Sequence, residues 1–100
     1  MNNSLKVADL PKSERPRERL LRYGSEALSN SELLAIILRT GTLNENIINL
    51  SSRILSENGG LNGVLSLKLE ELKKIRGIGN AKAVQIIAIG ELFKRFKTYK

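Results

Sequence analysis

Apolar and polar positions recur along the chain with the three-to-four-residue spacing of amphipathic helices. Leucine, isoleucine and alanine form one face of each stretch, and charged or amide side chains fill the other face. Glycine-containing or polar segments separate the stretches. This pattern predicts an all-α chain of about five short helices, with one further turn of helix near 61–65. The predicted helices cover residues 17–23, 30–38, 46–57, 69–75 and 80–96.

The last predicted helix is apolar on nearly every side. Six of the seven residues at 83–89 are apolar, and the polar stripe begins with Lys82 and Gln85. A helix of this composition is expected at the centre of a small domain, where neighbouring elements cover all its faces. Phe93 is therefore expected in the core, and Gly90 is expected to permit a close helix contact.

Two local signals mark helix ends. The run Ser-Asn-Ser-Glu at 29–32 is typical of a capping box, in which the side chains of Ser29 and Glu32 bind each other's backbone N–H groups. Gly24 follows the first predicted helix and suits a helix end that needs a positive φ. The second helix is therefore expected to begin directly after Ser29.

Composition excludes several classes of site. The 100 residues include no cysteine and no histidine, which removes disulfides, thiol nucleophiles, the usual zinc sites and histidine-based acid–base pairs. No apolar run is long enough to span a bilayer, and the N-terminus has no apolar signal segment. We expect a cytoplasmic protein with no membrane partner and with neither catalytic nor metal-binding residues in this chain.

The net charge of +7 is unevenly distributed. Residues 1–67 carry eight basic and seven acidic side chains, whereas residues 68–100 carry nine basic and three acidic ones. Such an excess in one segment favours binding to a polyanion such as nucleic acid, and a solvated basic surface is the alternative. In the part with balanced charge, Arg15 or Arg19 is expected to pair with Glu14, Glu18 or Glu26, and a phosphate-binding strip of Arg15, Arg17, Arg19 and Arg22 is the alternative.

A glycine turn, Gly77-Ile78-Gly79, lies within the basic segment. It is not a dinucleotide site, because a helix precedes it and Lys82 stands where the third glycine belongs, and it lacks the ending of a P-loop. The remaining interpretation is a helix-hairpin-helix, with Ile75 and Ile78 anchoring the turn and the first N–H groups of the next helix facing a phosphate. A tight turn that binds nothing is the alternative.

The predicted DNA site combines this turn with the start of the last helix. Small residues at 81 and 83 would leave room for close approach of DNA, and the helix–glycine turn–helix pattern repeats weakly around Gly41. The predicted phosphate-binding residues are Gly77, Ile78, Gly79, Asn80, Ala81 and Lys82. Weaker DNA contacts are predicted at Lys73, Lys74, Arg76, Gln85, Thr40, Gly41 and Thr42.

Four stretches resemble the N-terminal domain of the bacterial RadC family: RPRERLL at 15–21, ALSNSELLAI at 27–36, LRTGT at 38–42 and LKKIRGIGNAKA at 72–83. The resemblance implies a tandem helix-hairpin-helix domain, RuvA C-terminal-like or SAM-like, in a DNA repair protein. We accordingly expect an extended arm at 1–12, the tandem domain at 13–97 and the start of a linker at 98–100. The two hairpins are expected at about 30–57 and 68–96.

Two positions depart from the pattern of that family. Glu45 follows the first glycine turn, where relatives carry basic residues or glycine, and its charge is expected to oppose phosphate there. Lys68 stands where serine or threonine usually caps the helix before the second turn. The cap is therefore expected to be weaker, or Ser66 to take its place.

The resemblance also implies that full-length proteins carry a C-terminal domain like a JAMM-type zinc metalloprotease. Its metal motif needs histidines, so zinc is expected only in that absent domain. For this chain we expect no cofactor apart from a monovalent cation at the hairpin, which some related hairpins bind on their carbonyl oxygens. The expected function is sequence-nonspecific binding of duplex or branched DNA. The alternative is a protein-interaction module that positions its own C-terminal domain.

Overall fold

The computed structural model describes residues 6–7 and 10–98, and the described part of the chain is all-helical. Short 3-10 helices at Lys12–Glu14 and Ser25–Ala27 flank the first α-helix. No strand occurs in the described residues, and the prediction of an all-α chain is confirmed. The six α-helices of this part are α1 (Pro16–Tyr23), α2 (Asn30–Leu38), α3 (Ile47–Glu57), α4 (Gly60–Leu65), α5 (Leu69–Lys73) and α6 (Asn80–Thr98).

The chain forms two compact units, one ending at Arg53 and the other beginning at Ile54. In the first unit, α1 and α2 pack together, and the side chain of Arg19 joins them. Its Nε donates to Glu32 Oε2 at 2.8 Å, and its Nη2 donates to the carbonyl oxygen of Ala27 at 3.3 Å. Arg19 therefore pairs with Glu32, a partner that the prediction for Arg15 or Arg19 did not include, because helix packing brings Glu32 to it from the next helix.

The capping box predicted at the start of α2 is confirmed. Glu32 N–H donates to Ser29 Oγ at 3.1 Å, and Ser29 N–H donates to Glu32 Oε1 at 3.0 Å. The Ser29 backbone hydrogen bond lowers the pKa of Glu32, the Arg19 guanidinium lowers it further, and burial opposes both. The same carboxylate therefore caps α2 and ties it to α1.

In the second unit, α4 and α5 pack against one face of α6. Ala83 and Ile86 of that face are fully buried, as is Leu72 of α5. Gly90 lies on the same face, where an added Cβ would stand 3.1 Å from the carbonyl oxygen of Leu65. The expectation that Gly90 permits a close helix contact is confirmed.

The prediction that α6 is buried on all sides was wrong. Val84 is 57%, Leu92 is 65% and Phe96 is 79% exposed, although Ala83 in the same helix is 0% exposed. Phe93, predicted in the core, is 44% exposed, and Lys97 Nζ lies 5.3 Å from its ring centroid. The apolar composition of α6 exceeds what α4 and α5 cover, since they pack on one face of a 19-residue helix.

The arm predicted at 1–12 and the linker predicted at 98–100 lie partly outside the described residues. Within the described part, Lys12 begins a 3-10 helix and Thr98 ends α6. Residues 1–5, 8–9 and 99–100 are outside it. The predicted domain boundaries therefore stay predictions.

Candidate nucleic-acid interface

A tight turn joins α5 to α6. Ile78 N–H donates to the Ile75 carbonyl oxygen at 3.0 Å, which closes a four-residue β-turn. Gly77 is the third residue of this turn and has a φ of 93°, a conformation that side chains disfavour and glycine adopts freely. The sequence therefore folds here into a sharp reversal that only glycine makes without strain at position 77.

Gly79 lies two residues after Gly77, and neither backbone strain nor packing requires a glycine there. It is exposed, its φ lies outside the positive region, and a Cβ added to it would meet no atom within 4 Å. The chain itself therefore gives no steric reason for a glycine at position 79. The space in front of its Cα is open to another molecule.

The backbone after Gly79 presents the donor groups of a helix start. The first hydrogen bond at this end of α6 runs from Ala83 N–H to the Gly79 carbonyl oxygen at 3.0 Å. The N–H groups of Asn80 and Ala81 precede that bond, so the helix offers them no carbonyl oxygen four residues back. Asn80 and Ala81 are exposed, and Lys82 is half-buried. The positive end of the helix dipole and one lysine thus lie beside the open face of Gly79.

The apolar anchors of the turn are placed largely as predicted. Ile78 is 5% exposed and Ile75 is half-buried, so both side chains turn inward. Ala81 is exposed beside the helix start, as its predicted role requires. Ala83 is fully buried, so the expectation that it leaves room for DNA was wrong; it belongs to the face that packs against the rest of the unit.

Basic residues before and within the turn are exposed. Lys73, Lys74 and Arg76 are exposed, whereas Gln85 is half-buried in the second turn of α6. Lys73 Nζ lies 3.9 Å from Glu70 Oε1, a long contact between exposed groups that neutralises little of its charge. The turn thus carries a local excess of positive charge.

The cap of α5 is formed by Glu71, and not by Lys68 or Ser66. Lys68 occupies the cap position, and its N–H donates to Glu71 Oε1 at 2.8 Å, while its own side chain makes no capping hydrogen bond. Ser66 Oγ donates instead to the Asn62 carbonyl oxygen at 2.7 Å. Ser66 is therefore engaged at the end of α4, and Glu71 supplies the side-chain cap of α5.

The earlier glycine turn, between α2 and α3, has a different construction. Arg39 has a φ of 74° and a ψ of −54°, and Thr40 N–H donates to the Leu38 carbonyl oxygen at 2.9 Å, which defines a strained γ-turn. Thr42 and Glu45 then pair through backbone hydrogen bonds of 2.8 and 3.4 Å. The turn folds back on itself.

Gly41 lies inside this folded turn. A Cβ added to it would overlap the carbonyl oxygen of Glu45 and stand 2.7 Å from the carbonyl carbon of Asn46. The space beside Gly41 is thus filled by the chain's own backbone, whereas the space beside Gly79 is open. Thr40 and Thr42 are exposed on this first turn, but its glycine offers no close approach.

The carboxylate of Glu45 is paired with Arg53 of α3. Arg53 Nε donates to Glu45 Oε2 at 3.0 Å, and Arg53 Nη2 donates to Glu45 Oε1 at 2.9 Å. The sequence pattern suggested Glu45 as a charge that opposes phosphate. Because the Arg53 guanidinium neutralises the charge of Glu45, the feature that disfavours phosphate binding at the first turn is instead the filled space at Gly41.

The described residues contain neither a cluster of three metal ligands nor a membrane-spanning helix. No group of three or more potential metal-ligating side chains occurs among them. None of the helices in the described ranges combines the length and apolar character needed to cross a bilayer.

Comparison with known proteins gives a family. The family model described as UPF0758 N-terminal matches residues 7–84. A UPF0758 protein of Clostridium acetobutylicum is 83% identical over 100 residues, which are 100% of this chain and 44% of that protein. UPF0758 proteins of Clostridium novyi and Clostridium botulinum are 65% and 63% identical over the same coverage. No solved structure matches.

These relatives define the family without naming an activity. The chain spans about 44% of their length, and their names state neither a ligand nor a reaction. The RadC-like character and the helix-hairpin-helix assignment therefore stay predictions. The family model covers residues 7–84, and the chain belongs to the UPF0758 family.

Proposed function

We propose that this chain is a sequence-nonspecific DNA-binding module that grips backbone phosphate with the turn between α5 and α6. The observation that carries the proposal is the open space at Gly79, where a Cβ would meet no atom within 4 Å. Gly79 also precedes α6 as its N-cap, but serine, asparagine or aspartate would fill that position at least as well. A ligand that approaches the backbone closely favours glycine at that point. In this proposal α5, the turn and α6 form a helix-hairpin-helix.

The chemistry beside Gly79 suits a phosphate oxygen. The first N–H groups of α6 donate hydrogen bonds, the helix dipole favours an anion, and Lys82 adds a full charge within the first turn. Gly77, Ile78, Asn80 and Ala81 supply backbone rather than side-chain contacts. Such contacts position a nucleic acid without reading its bases, which accounts for the proposed lack of sequence preference.

Affinity is expected to be weak and strongly dependent on salt. Lys73, Lys74 and Arg76 add positive field beside the turn, and Gln85 lies one turn further along α6. Nonspecific binding of this kind is driven by release of counterions from DNA, with dissociation constants of about 10⁻⁴ to 10⁻⁶ M at physiological salt. One turn with a few cations belongs at the weak end of that range.

The first glycine turn has a secondary place in the proposal. Thr40 and Thr42 are exposed and can donate hydroxyl hydrogen bonds to a phosphate, but the folded turn fills the space at Gly41. Its contribution is therefore limited to side chains. A monovalent cation on the carbonyl oxygens of the second turn stays a prediction.

The test is an anisotropy titration of labelled duplex and branched DNA over a range of salt concentrations. Lys82→Glu should lower affinity about tenfold at low salt and reduce the salt slope by about one, because one phosphate contact is lost. Lys12→Glu makes the same charge change on an exposed residue of the first unit and should have a much smaller effect. Equal effects of the two variants, or no binding at low salt, would overturn the proposal.

A further inference from the structure

One face of α6 is apolar and uncovered. Val84, Ala88, Leu92 and Phe96 follow one another at intervals of four residues, so they share a single stripe along the helix. All four are exposed, and we call them the outer stripe. Ile87, at 37% exposure, widens the stripe beside Val84. The outer stripe lies opposite the buried face that Ala83, Ile86 and Gly90 form.

Single exposed apolar side chains are normal on protein surfaces, whereas an aligned row of them is not. Leu92 and Phe96 keep 65% and 79% of their accessible surface, which makes the row most exposed near the end of α6. A continuous apolar row on a helix is the usual form of a surface that packs against another element. The row therefore calls for a covering surface that the described residues do not supply.

We propose that the outer stripe docks against the C-terminal region of the longer proteins of this family. The matched family model is named for an N-terminal domain, and the chain spans 44% of its relatives, so more than half of such proteins follows this segment. The stripe reaches Phe96, close to the end of α6 at Thr98. A region that continues from α6 is therefore tethered next to the most exposed part of the stripe.

Tethering favours this occupant over a separate molecule. A covalently attached partner is present at an effective concentration of roughly millimolar when a short flexible linker joins the two sites. Even a modest apolar contact is then occupied most of the time. A free partner would have to reach a similar concentration in solution to compete.

The flank of the outer stripe carries little net charge. At about 100° per residue, Lys94 and Lys97 lie on the side of α6 that carries Ala83 and Gly90. Of the basic residues near the exposed end, Arg95 borders the stripe, and its Nε is 3.1 Å from Glu91 Oε2. The covering surface should therefore be mainly apolar.

This inference does not depend on DNA binding. The outer stripe contains none of the residues from Gly77 to Lys82 that the proposed phosphate site uses. Loss of DNA binding in Lys82→Glu would leave the stripe and its docking unchanged. The two proposals can therefore fail separately.

The test is thiol labelling of a single introduced cysteine, which the cysteine-free chain makes straightforward. Leu92→Cys is placed in the 100-residue chain and in a full-length protein that carries this chain in place of the matching segment of the Clostridium acetobutylicum relative. Leu43→Cys, at an exposed leucine in the first glycine turn, is the matched control. Peptide mass spectrometry reads each introduced thiol separately from any cysteine of the C-terminal region.

In the full-length protein, Leu92→Cys should be labelled at least about tenfold more slowly than in the 100-residue chain, since the thiol then reacts only when the region detaches. Leu43→Cys should change by less than about twofold. Val84→Cys, at the other end of the stripe, serves as a second variant and should follow Leu92→Cys. Equal rates in the two proteins would overturn the inference. Equal slowing of labelling at Leu92→Cys and Leu43→Cys would also overturn it. So would a labelling rate of Leu92→Cys in the 100-residue chain that falls as the chain concentration rises, because that result would assign the stripe to a second copy.

Discussion

Glu45 and Arg53 form a doubly hydrogen-bonded ion pair, with Arg53 Nε 3.0 Å from Glu45 Oε2 and Arg53 Nη2 2.9 Å from Glu45 Oε1. The two side chains are only 18% and 16% exposed, respectively. The pair fastens the first glycine turn to α3. Because both groups are largely shielded from water, removing one would leave the other charge poorly solvated.

Glu45→Gln should therefore destabilise the fold by about 1.5–3 kcal/mol, the range for a hydrogen bond to a charged group. Urea unfolding followed by far-UV circular dichroism measures the change, since the chain has no tryptophan. Glu91→Gln is the matched control because it breaks the Glu91–Arg95 pair, whose side chains are 53% and 76% exposed. That variant should lose less than about 1 kcal/mol. Similar losses in both variants would show that the shielding of the Glu45 pair is unimportant.

The glycines of the two turns should respond oppositely to alanine. Gly41→Ala forces a Cβ into the carbonyl oxygen of Glu45 and should cost about 2 kcal/mol or more of stability. Gly79→Ala meets no atom of the chain and should change stability by less than about 1 kcal/mol, since weaker helix capping and a less flexible unfolded chain offset each other.

In Gly79→Ala, DNA affinity should fall although stability stays nearly unchanged. Gly79→Ala places a methyl group where the phosphate is proposed to approach, so it should weaken binding several-fold while the thermal midpoint stays near that of the wild type. Anisotropy titration at low salt measures the first quantity, and thermal unfolding measures the second. Unchanged DNA affinity in a folded Gly79→Ala protein would mean that phosphate does not approach the backbone at Gly79, and it would overturn the proposed function.

The contrast between these glycines could not be predicted from the sequence. Both lie between two predicted helices, and the residue types beside them do not show whether the space at each glycine is open or filled. What distinguishes them is the position of the Glu45 and Asn46 backbone relative to Gly41, which depends on how the turn folds back. The Arg39 γ-turn belongs to the same folded segment, and no residue type in that run indicates it.

Features that depend on a few consecutive residues were predicted well. The capping box needs only Ser29 and Glu32 at the correct spacing, and the helical periodicity places most helices within a residue or two of their observed bounds. The coverage of α6 was not predictable in this way. Apolar composition indicates which residues can be buried, whereas the extent of their burial depends on how many elements pack against the helix.

The pH dependence of stability should include a component from Glu32. Its folded-state pKa is lowered, first by the Ser29 backbone hydrogen bond and then by Arg19, so the ionised form favours folding. This contribution is fully present above the ordinary glutamate pKa and is lost as the pH falls through the lowered folded-state pKa. Glu32→Gln keeps an acceptor for Ser29 N–H but has no charge to titrate.

Wild type should therefore be more stable than Glu32→Gln by about 1 kcal/mol near neutral pH, and the gap should narrow as the pH falls to about 3. Urea titrations at a series of pH values measure the gap directly. A gap that stays constant over this range would mean that the charge of Glu32 does not contribute.

Ser51 is the clearest site for a stabilising substitution. Its side chain lies in α3 with 0% exposure, and its Oγ has no hydrogen-bond partner within the described part of the chain. A buried hydroxyl without a partner loses its hydration and gains nothing in return. Ser51→Ala removes that cost, improves helix propensity and leaves a cavity no larger than one oxygen atom.

Ser51→Ala should therefore raise the free energy of unfolding by about 1 kcal/mol. The neighbouring Ser52 is the matched control, because it lies in the same helix, is exposed, and its Oγ donates to Ser31 Oγ at 2.9 Å. Ser52→Ala loses that hydrogen bond while gaining the same helix propensity, so its stability should stay close to that of the wild type. Chemical unfolding of the two variants in parallel isolates the effect of burial. If Ser51→Ala proved less stable than Ser52→Ala, the buried hydroxyl of Ser51 would stabilise the fold, which would mean that it forms a hydrogen bond in solution.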